Sequence, residues 1–566
     1  MAERMARDRQ TVSMTESGSS RSGSARSGSS RAVRAATAVP AGFVVVLFAW
    51  PLIALVRRAL TDDHGAGASE LLARTHGWHL LGVTLAQAAA SAVLSVVVAA
   101  PLVWLLSTVH LRGGALLRIL VTVPFVLPTV VVGVAFRALL TGPLDFLGIR
   151  GGWPAILLAH IFLNVAVVVR VVTAAWRQID PRTVEAARTL GATPLRAFID
   201  VVVPRILPAT AAAATLVFLF CSTSFGVIVI LGDGTARTLE TEIYQQAIGY
   251  FRIPEAVALS VLQIIVVACA LLLARVVAGR STISGPPVLG REHRRRPRGA
   301  VRVVVLVVLA WAVVWLLLPL IALAVRSVRP DGRAWSAAGY RALADDTYGP
   351  SVLDALRYSL TSALAAMVLA VVIGLLVALG VTRGGGLPGR VTAVLEVLPL
   401  GVSAVTLGFG YLLVIGTLPT AVVQSPLVIP AVQALLAVPV VAGVMIPALN
   451  QVPGRLRDAA RTLGAGPWWV LISVDLRLTA RSLGAAAGFS FVMAIGEFGA
   501  TSFLARADTT TLPVLIGSLM SRPGAVNLAT AMAASVLLVV VSAAVIAAIE
   551  VIGEGRNGRA DTDADD

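Results

Sequence analysis

The sequence predicts an all-α integral membrane protein with about twelve transmembrane helices in two parallel six-helix repeats. Three observations lead there. Of 566 residues, 57% are apolar and only 13% are charged, against roughly 25% charged in a soluble globular domain. Apolar runs of about 20 residues, the length a helix needs to cross the hydrocarbon core, recur along the whole chain; a membrane barrel would show short alternating segments instead. Finally, the stretch Glu185-Ala186-Ala187-Arg188-Thr189-Leu190-Gly191-Ala192 returns as Asp458-Ala459-Ala460-Arg461-Thr462-Leu463-Gly464-Ala465, with seven consecutive residues identical at an offset of 273.

Taken in order, residues 1–34 are rich in Ser, Gly and Arg and cannot bury a core, which predicts a disordered cytoplasmic tail. The tail is too long for the n-region of a cleaved signal, and the apolar run after it is long enough to anchor the chain. Spans are expected at 36–57, 82–107, 115–139, 153–175, 208–232 and 254–277, a first transmembrane half over 35–277. A basic linker at 278–301 carries Arg291, Arg294, Arg295, Arg296 and Arg298. Spans at 302–326, 355–381, 391–415, 427–449, 482–505 and 525–552 form a second half over 302–553, and 554–566 is a second cytoplasmic tail.

The net charge is +16, and because the chain contains no lysine its cations are arginines. They cluster in the first tail, the linker and short loops, which is the bias of cytoplasmic segments rather than a nucleic-acid surface. Counting outward from the linker places both termini and both copies of the repeated stretch on the cytoplasmic side of a multi-pass cytoplasmic-membrane protein, with membrane lipid around it and no nucleic acid bound. Cys221 and Cys269 both lie in apolar runs and offer neither metal spacing nor a disulfide framework.

Each repeated stretch falls between the fourth and fifth span of its half. Pro181 suits a first helical turn, Glu185 lies near the positive helix end, Gly191 supplies a turn, and Pro194 suits the start of a second short helix. The expected product is a small polar elbow whose alanines allow another protein to approach closely; an ordinary amphipathic loop helix would explain one copy but not two matching ones. The halves agree elsewhere: Ser222-Thr223-Ser224-Phe225-Gly226 aligns with Ile495-Gly496-Glu497-Phe498-Gly499, and Leu127-Pro128 has a counterpart in Leu398-Pro399. An even number of spans per half makes the repeat parallel and leaves a path between the halves.

On these residues the chain resembles the membrane subunits of binding-protein-dependent ABC importers, whose signature runs Glu-Ala-Ala, three residues, Gly, nine residues, then aliphatic, any, aliphatic and Pro. The first copy matches through Glu185, Ala186, Ala187, Gly191, Val201, Val203 and Pro204. The second has Asp458, Ala459, Ala460, Gly464, Val474 and Leu476, with Arg477 in place of the proline. The resemblance covers about residues 80–277 and 350–552 and implies a type I importer permease fold. It also implies that the elbows are coupling helices fitting into grooves on cytoplasmic ABC ATPase subunits, two copies being expected. ATP and Mg would be bound by that partner and no cofactor by this chain, because a P-loop requires a lysine and none is present. The outer loops, such as 233–253 and 327–351, are too short to form a ligand-binding domain, so the resemblance requires a separate extracytoplasmic solute-binding protein. The chain itself is expected to be a transport subunit and not an enzyme.

Polar residues inside spans suggest the path. Glu497 is costly there, by ~2.5–3.5 kcal/mol on insertion scales, and is a candidate path residue by default, although it could instead pair with an arginine or cap a helix break near Gly496 and Gly499. Ser224 is its first-half equivalent, and Thr223 and Thr501 complete the candidate set. His160, Asn164, Gln263, Gln433 and Glu396 read more simply as interhelical hydrogen-bonding groups, and Arg137 and Arg170 as snorkelling side chains. Nothing has metal-ligand spacing.

Fused twelve-span members of this family resemble thiamine and ferric-iron importers. Thr238-Leu239-Glu240-Thr241-Glu242-Ile243-Tyr244-Gln245-Gln246-Ala247 is similar to a stretch of thiamine permeases, while Gly496–Thr501 with Thr511-Leu512-Pro513 also looks like molybdate and sulfate permeases. The expected cargo is thiamine first, ferric iron second and an oxyanion third. The alternative is an ion- or proton-coupled secondary transporter, which should show buried acid–base pairs and needs no docking elbows.

Overall fold

The computed structural model describes residues 38–61, 67–111, 114–279 and 299–554, apart from 331, 333, 348, 385 and 386. The first expected tail, the second apart from residue 554, and the arginine-bearing part of the linker lie outside the described residues. Among those described there are helices and no strands. Among the described residues nine helices are long and apolar enough to cross a membrane, or twelve when each of three bent helix pairs is counted as one span. At ~1.5 Å per residue, the shortest of the nine, with 24 residues, exceeds the ~30 Å hydrocarbon core.

In the first half, spans 1 to 6 are Ala38–Thr61, Gly77–Thr108, the pair Leu116–Val126 and Thr129–Leu140, Gly152–Trp176, Pro194–Ser222 and Ile253–Val277. In the second half, spans 7 to 12 are Ala300–Val328, Val352–Arg383, the pair Gly389–Gly401 and Ala404–Ile415, Val428–Gln451, the pair Pro467–Leu476 and Ala480–Ile495, and Ala525–Ile549. The expected grouping of six and six is therefore found, but four expected spans are not straight. Spans 3 and 9, expected as rods over 115–139 and 391–415, bend by 103° and 94°. The physical cause in span 3 is Pro128, which pushes Leu127 away from the helical region and is itself extended, with φ −56° and ψ 134°. In span 9 the backbone is extended at Val402 and Ser403, and Ser403 caps the next helix by accepting the N–H of Thr406 at 3.0 Å. The helices expected over 208–232 and 482–505 stop at Ser222 and Ile495, and short helices Gly226–Leu231 and Thr501–Leu504 follow each break.

The core is shared between the halves. One buried cluster joins Leu55, Val130 and Leu262 of the first half to Ala363, Val405 and Phe498 of the second. The leading span of each half crosses to the other. Span 1 lies on the second arm of span 9, where Tyr411 donates to the Leu47 carbonyl. Span 7 lies on the second arm of span 3, where Trp315 meets Phe136 at 6.5 Å and Arg326 donates to the carbonyl of Thr141, the residue that ends that helix. A cation at a helix C-terminus opposes the negative end of its dipole.

Candidate functional site: two elbows and the seam between the halves

The first elbow helix is Pro181–Thr189. Asp180 caps it by accepting the N–H of Arg182 at 2.9 Å, and Pro181 occupies the first turn, where a missing N–H costs nothing. The second is Gly454–Thr462, entered from Pro453. Both end in the same way. Gly191 and Gly464 adopt φ of +91° and +88°, a left-handed conformation that glycine enters without the Cβ penalty. The N–H of Gly191 reaches the Arg188 carbonyl at 3.1 Å and that of Ala192 the Ala187 carbonyl at 3.1 Å. The matching bonds, Gly464 to Arg461 and Ala465 to Ala460, measure 2.9 and 3.0 Å. This is the Schellman arrangement, made twice by the identical residues.

Exposure also repeats, residue by residue, from 184 to 192 and from 457 to 465. Glu185, Ala186, Gly191, Asp458, Ala459 and Gly464 are exposed, Ala187 and Ala460 half-buried, and neither elbow helix has a buried residue. Leu190 and Leu463 are 88% and 89% exposed at the two elbow tips. Sequence reasoning passed over these leucines, although they lay within the identical stretch. It also missed the wide π-turns Phe198–Val202 and Leu471–Leu476 that follow each elbow at the same offset and contain Val201 and Val474 of the signature. π-turns frequently mark functional segments.

What anchors the elbows differs. The first is held by arginines on uncharged oxygens: Arg205 donates to Thr183 Oγ1 at 2.6 Å, Arg177 to the Leu106 carbonyl at 3.3 Å, and Trp176 lies 5.6 Å from Phe198. The second is held by Asp475, which is fully buried and paired with both Arg383, at the end of span 8, and Arg457, whose Nε lies 2.7 Å away. Arg457 also donates to the Leu449 carbonyl at 2.8 Å, near the end of span 10. Val202 stands at the equivalent position in the first half. Where Arg477 replaces the proline of the first copy, the chain turns by 83° into the following helix, whereas Pro204 sits inside the continuous helix Pro194–Ser222. An acid flanked by Val474 and Leu476 was the sequence signal for this node.

The two helix breaks meet at the seam between the halves. Phe225 and Phe498, equivalent residues of the repeat, stack with centroids 5.1 Å apart and planes 22° from parallel. Gly226 and Gly499, again equivalent, let the breaks press against the bends of spans 3 and 9: an added Cβ would come within 3.1 Å of Val130 and 3.0 Å of Ala404. The candidate path residues flank this stack. Glu497 spans the second break, accepting the N–H groups of Ala500 and Thr501 at 2.8 and 2.9 Å, and Thr501 Oγ1 donates back to the Glu497 carbonyl at 3.0 Å. Ser224 lies 2.9 Å from His160 Nε2, while Ser91 is 3.1 Å from the other ring nitrogen. Thr223 Oγ1 donates to the Leu219 carbonyl at 3.1 Å. Glu497 thus caps a break, and Ser224 belongs to a polar node linking spans 2 and 4. Gln433, the equivalent of His160, accepts from Ser362 at 2.8 Å and links spans 8 and 10. No group of His, Cys, Asp and Glu among the described residues could hold a metal ion.

Residues 109–282 match the family described as "Binding-protein-dependent transport system inner membrane component". The thiamine transport system permease protein ThiP of Brucella abortus (strain 2308) is 27% identical over 504 residues, 85% of this chain and 90% of that protein. The ThiP of Escherichia coli (strain K12) is 28% identical over 481 residues, 80% of this chain and 85% of that protein. The putative 2-aminoethylphosphonate transport system permease protein PhnU of Salmonella choleraesuis (strain SC-B67) is 31% identical over 233 residues, 37% of this chain but 80% of that protein.

Proposed function

Because the chain belongs to the family of binding-protein-dependent transport system inner membrane components, we propose that it supplies both permease halves of an ATP-driven importer whose cargo is thiamine. The observation that carries the importer reading is the pair of elbows: two exposed helices with the same terminal hydrogen bonds, the same left-handed glycine and the same bare leucine. Six spans separate them, so they emerge on one side. The arginine bias of the elbows and of the linker supports a cytoplasmic side for them and for both termini.

In this reading each elbow fits a groove on one of two cytoplasmic ATPase subunits, with Glu185, Ala186, Ala187 and Gly191 on one and Asp458, Ala459, Ala460 and Gly464 on the other. ATP and Mg are held by those subunits. Their closure pushes both elbows. The push passes through the π-turns into spans 5 and 11, whose far ends are the breaks that meet at Phe225 and Phe498. Separation there opens a path flanked by Thr223, Ser224, Glu497 and Thr501, alternately toward each face. A solute-binding protein delivers cargo to the outer face. Thiamine ranks first because the relatives that align across most of the chain are thiamine permeases; ferric iron ranks second and an oxyanion third.

The test is co-expression with a candidate ATPase and binding protein, followed by reconstitution in vesicles and measurement of labelled thiamine uptake. ATP-dependent accumulation with co-purification of the ATPase is expected. Uptake driven by an ion gradient without any ATPase would refute the importer reading, and ATP-driven uptake of another solute only would refute the cargo.

A further inference from the structure

Glu240 lies in the short helix Leu239–Tyr244, which follows the first-half break, and is 0% exposed. Neither carboxylate oxygen has a hydrogen-bond partner, and the residue forms no ion pair among the described residues. Its polar neighbours are Gln263 of span 6 and Ser403 at the bend of span 9, one from each half. Gln263 uses its amide nitrogen on the Ser222 carbonyl at 3.1 Å, and its Oε1 is also without a partner. Ser403 spends its proton on Thr406 Oγ1 at 2.9 Å. The nearby Arg237 pairs with Glu242, 3.5 Å away, so it does not serve Glu240. What remains is a carboxyl sealed from water, with Ser403 and the second amide N–H of Gln263 as its nearest polar groups and no cation paired with it among the described residues, which is a costly arrangement for a charged group alone.

One helical turn beyond Glu240, on the same face, is Tyr244. Its ring lies 5.2 Å from Phe225 and 5.4 Å from Phe503, and Phe225 stacks on Phe498 across the seam. A carboxylate beside aromatic faces matches one ligand chemistry above others: a delocalised organic cation, held by charge on one side and by ring quadrupoles on the other. We propose that Glu240, assisted by Gln263 and Ser403, recognises the positive charge of an aromatic or heteroaromatic organic cation as it passes between the halves. This deepens the importer reading and rests on it. The site is closed in this structure and opens when the Phe225–Phe498 contact parts.

The experiment uses the full complex with its ATPase and binding protein in vesicles. Glu240→Gln keeps the shape and removes the charge. A fall in thiamine kcat/KM of about thirtyfold or more is expected, the low end for losing one partner of a buried charge pair, with assembly, basal ATP hydrolysis and cargo affinity of the binding protein unchanged. Because glutamine also mimics a protonated acid, wild-type uptake by Glu240→Gln would overturn the proposal and leave Glu240 a neutral structural group. Should that variant fail to assemble, carbodiimide labelling of Glu240 in the wild-type complex decides: cargo should protect the residue, and undiminished labelling with saturating cargo overturns the proposal. If the wild-type complex imports a neutral or anionic solute instead of thiamine, the cation site falls too. If it imports a different organic cation, only the thiamine assignment falls, and the same comparison is read with that cargo.

Discussion

At the residue scale, the two elbow glycines and Asp475 carry the sharpest consequences. An L-residue at the φ of Gly191 or Gly464 costs ~1–2 kcal/mol, and a β-branched one fits that backbone worst. A Cβ at either position meets nothing within 4 Å, so Gly191→Val and Gly464→Val should insert normally yet lose uptake, measured in vesicles against membrane-fraction content. Unchanged uptake in both would argue against coupling through the elbows. At Asp475 the expectation is different in kind. Asp475→Ala leaves Arg383 and Arg457 facing a buried site with no counter-charge, and removal of one member of a buried ion pair costs about 3–5 kcal/mol. Thermal unfolding in detergent should show that loss. Arg461→Ala is the control: its pairing with Asp458 at 3.0 Å joins side chains 61% and 72% exposed, and an exposed pair contributes only ~0–1 kcal/mol. Glu497 shows how a sequence reading divides at this scale. Its position in an apolar run was legible, but the cap it makes on Ala500 and Thr501 depends on where the chain stops being helical, which only the structure shows.

At the scale of elements, the elbows are the part most nearly written in the sequence. Pro181, the alanines and the glycine specify start, body and stop through local backbone preferences, and local preferences do not wait on tertiary contacts. The exposed tips extend that reading. Burying a leucine in a partner groove contributes about 1.5–3 kcal/mol, so Leu190→Asp and Leu463→Asp should each weaken ATPase binding by about 10- to 150-fold, read from co-purification or from binding of the detergent-solubilised permease. Equal binding by the double variant would move the docking surface elsewhere. The bent spans were not legible in the same way. Hydropathy measures whether a segment tolerates lipid, and a helix that turns through 103° is as apolar as a straight one. Leu127-Pro128 and Leu398-Pro399 were visible as counterparts, but matching dipeptides carry no angle.

At the scale of the molecule, two halves built on one pattern meet through equivalent residues. Phe225 and Phe498 stack at the seam, each leading span crosses to the opposite half, and the elbows stand six spans apart. If the halves part there during transport, joining them should stop it. With Cys221 and Cys269 replaced by serine, Phe225→Cys with Phe498→Cys should allow a short disulfide-forming bis-thiosulfonate crosslinker to arrest uptake reversibly, with full recovery after reduction. Continued uptake by the crosslinked protein would mean that cargo passes elsewhere. The halves also differ, and the differences are informative: one elbow is anchored by an exposed arginine hydrogen bond to a threonine hydroxyl and the other by a buried aspartate between two arginines. Thermal or chemical stress should therefore loosen the first elbow before the second, which hydrogen exchange over 181–205 and 454–478 would resolve.

The amino-acid sequence alone determined that this chain spans a membrane many times, that it does so as two like-oriented halves, and that each half presents one polar elbow. Those properties follow from transfer free energy, chain length and local turn chemistry, all of which are additive along the chain. Only the tertiary structure decided which groups face one another. Glu240 was visible as a letter in a familiar stretch, yet its full burial, its closeness to Gln263 and Ser403, and the packing of Tyr244 from the same helix against Phe225 depend on how separate helices, one of them from the other half, are brought together. An electrostatic environment is set by everything within a few ångströms in space, and sequence separation does not measure that distance.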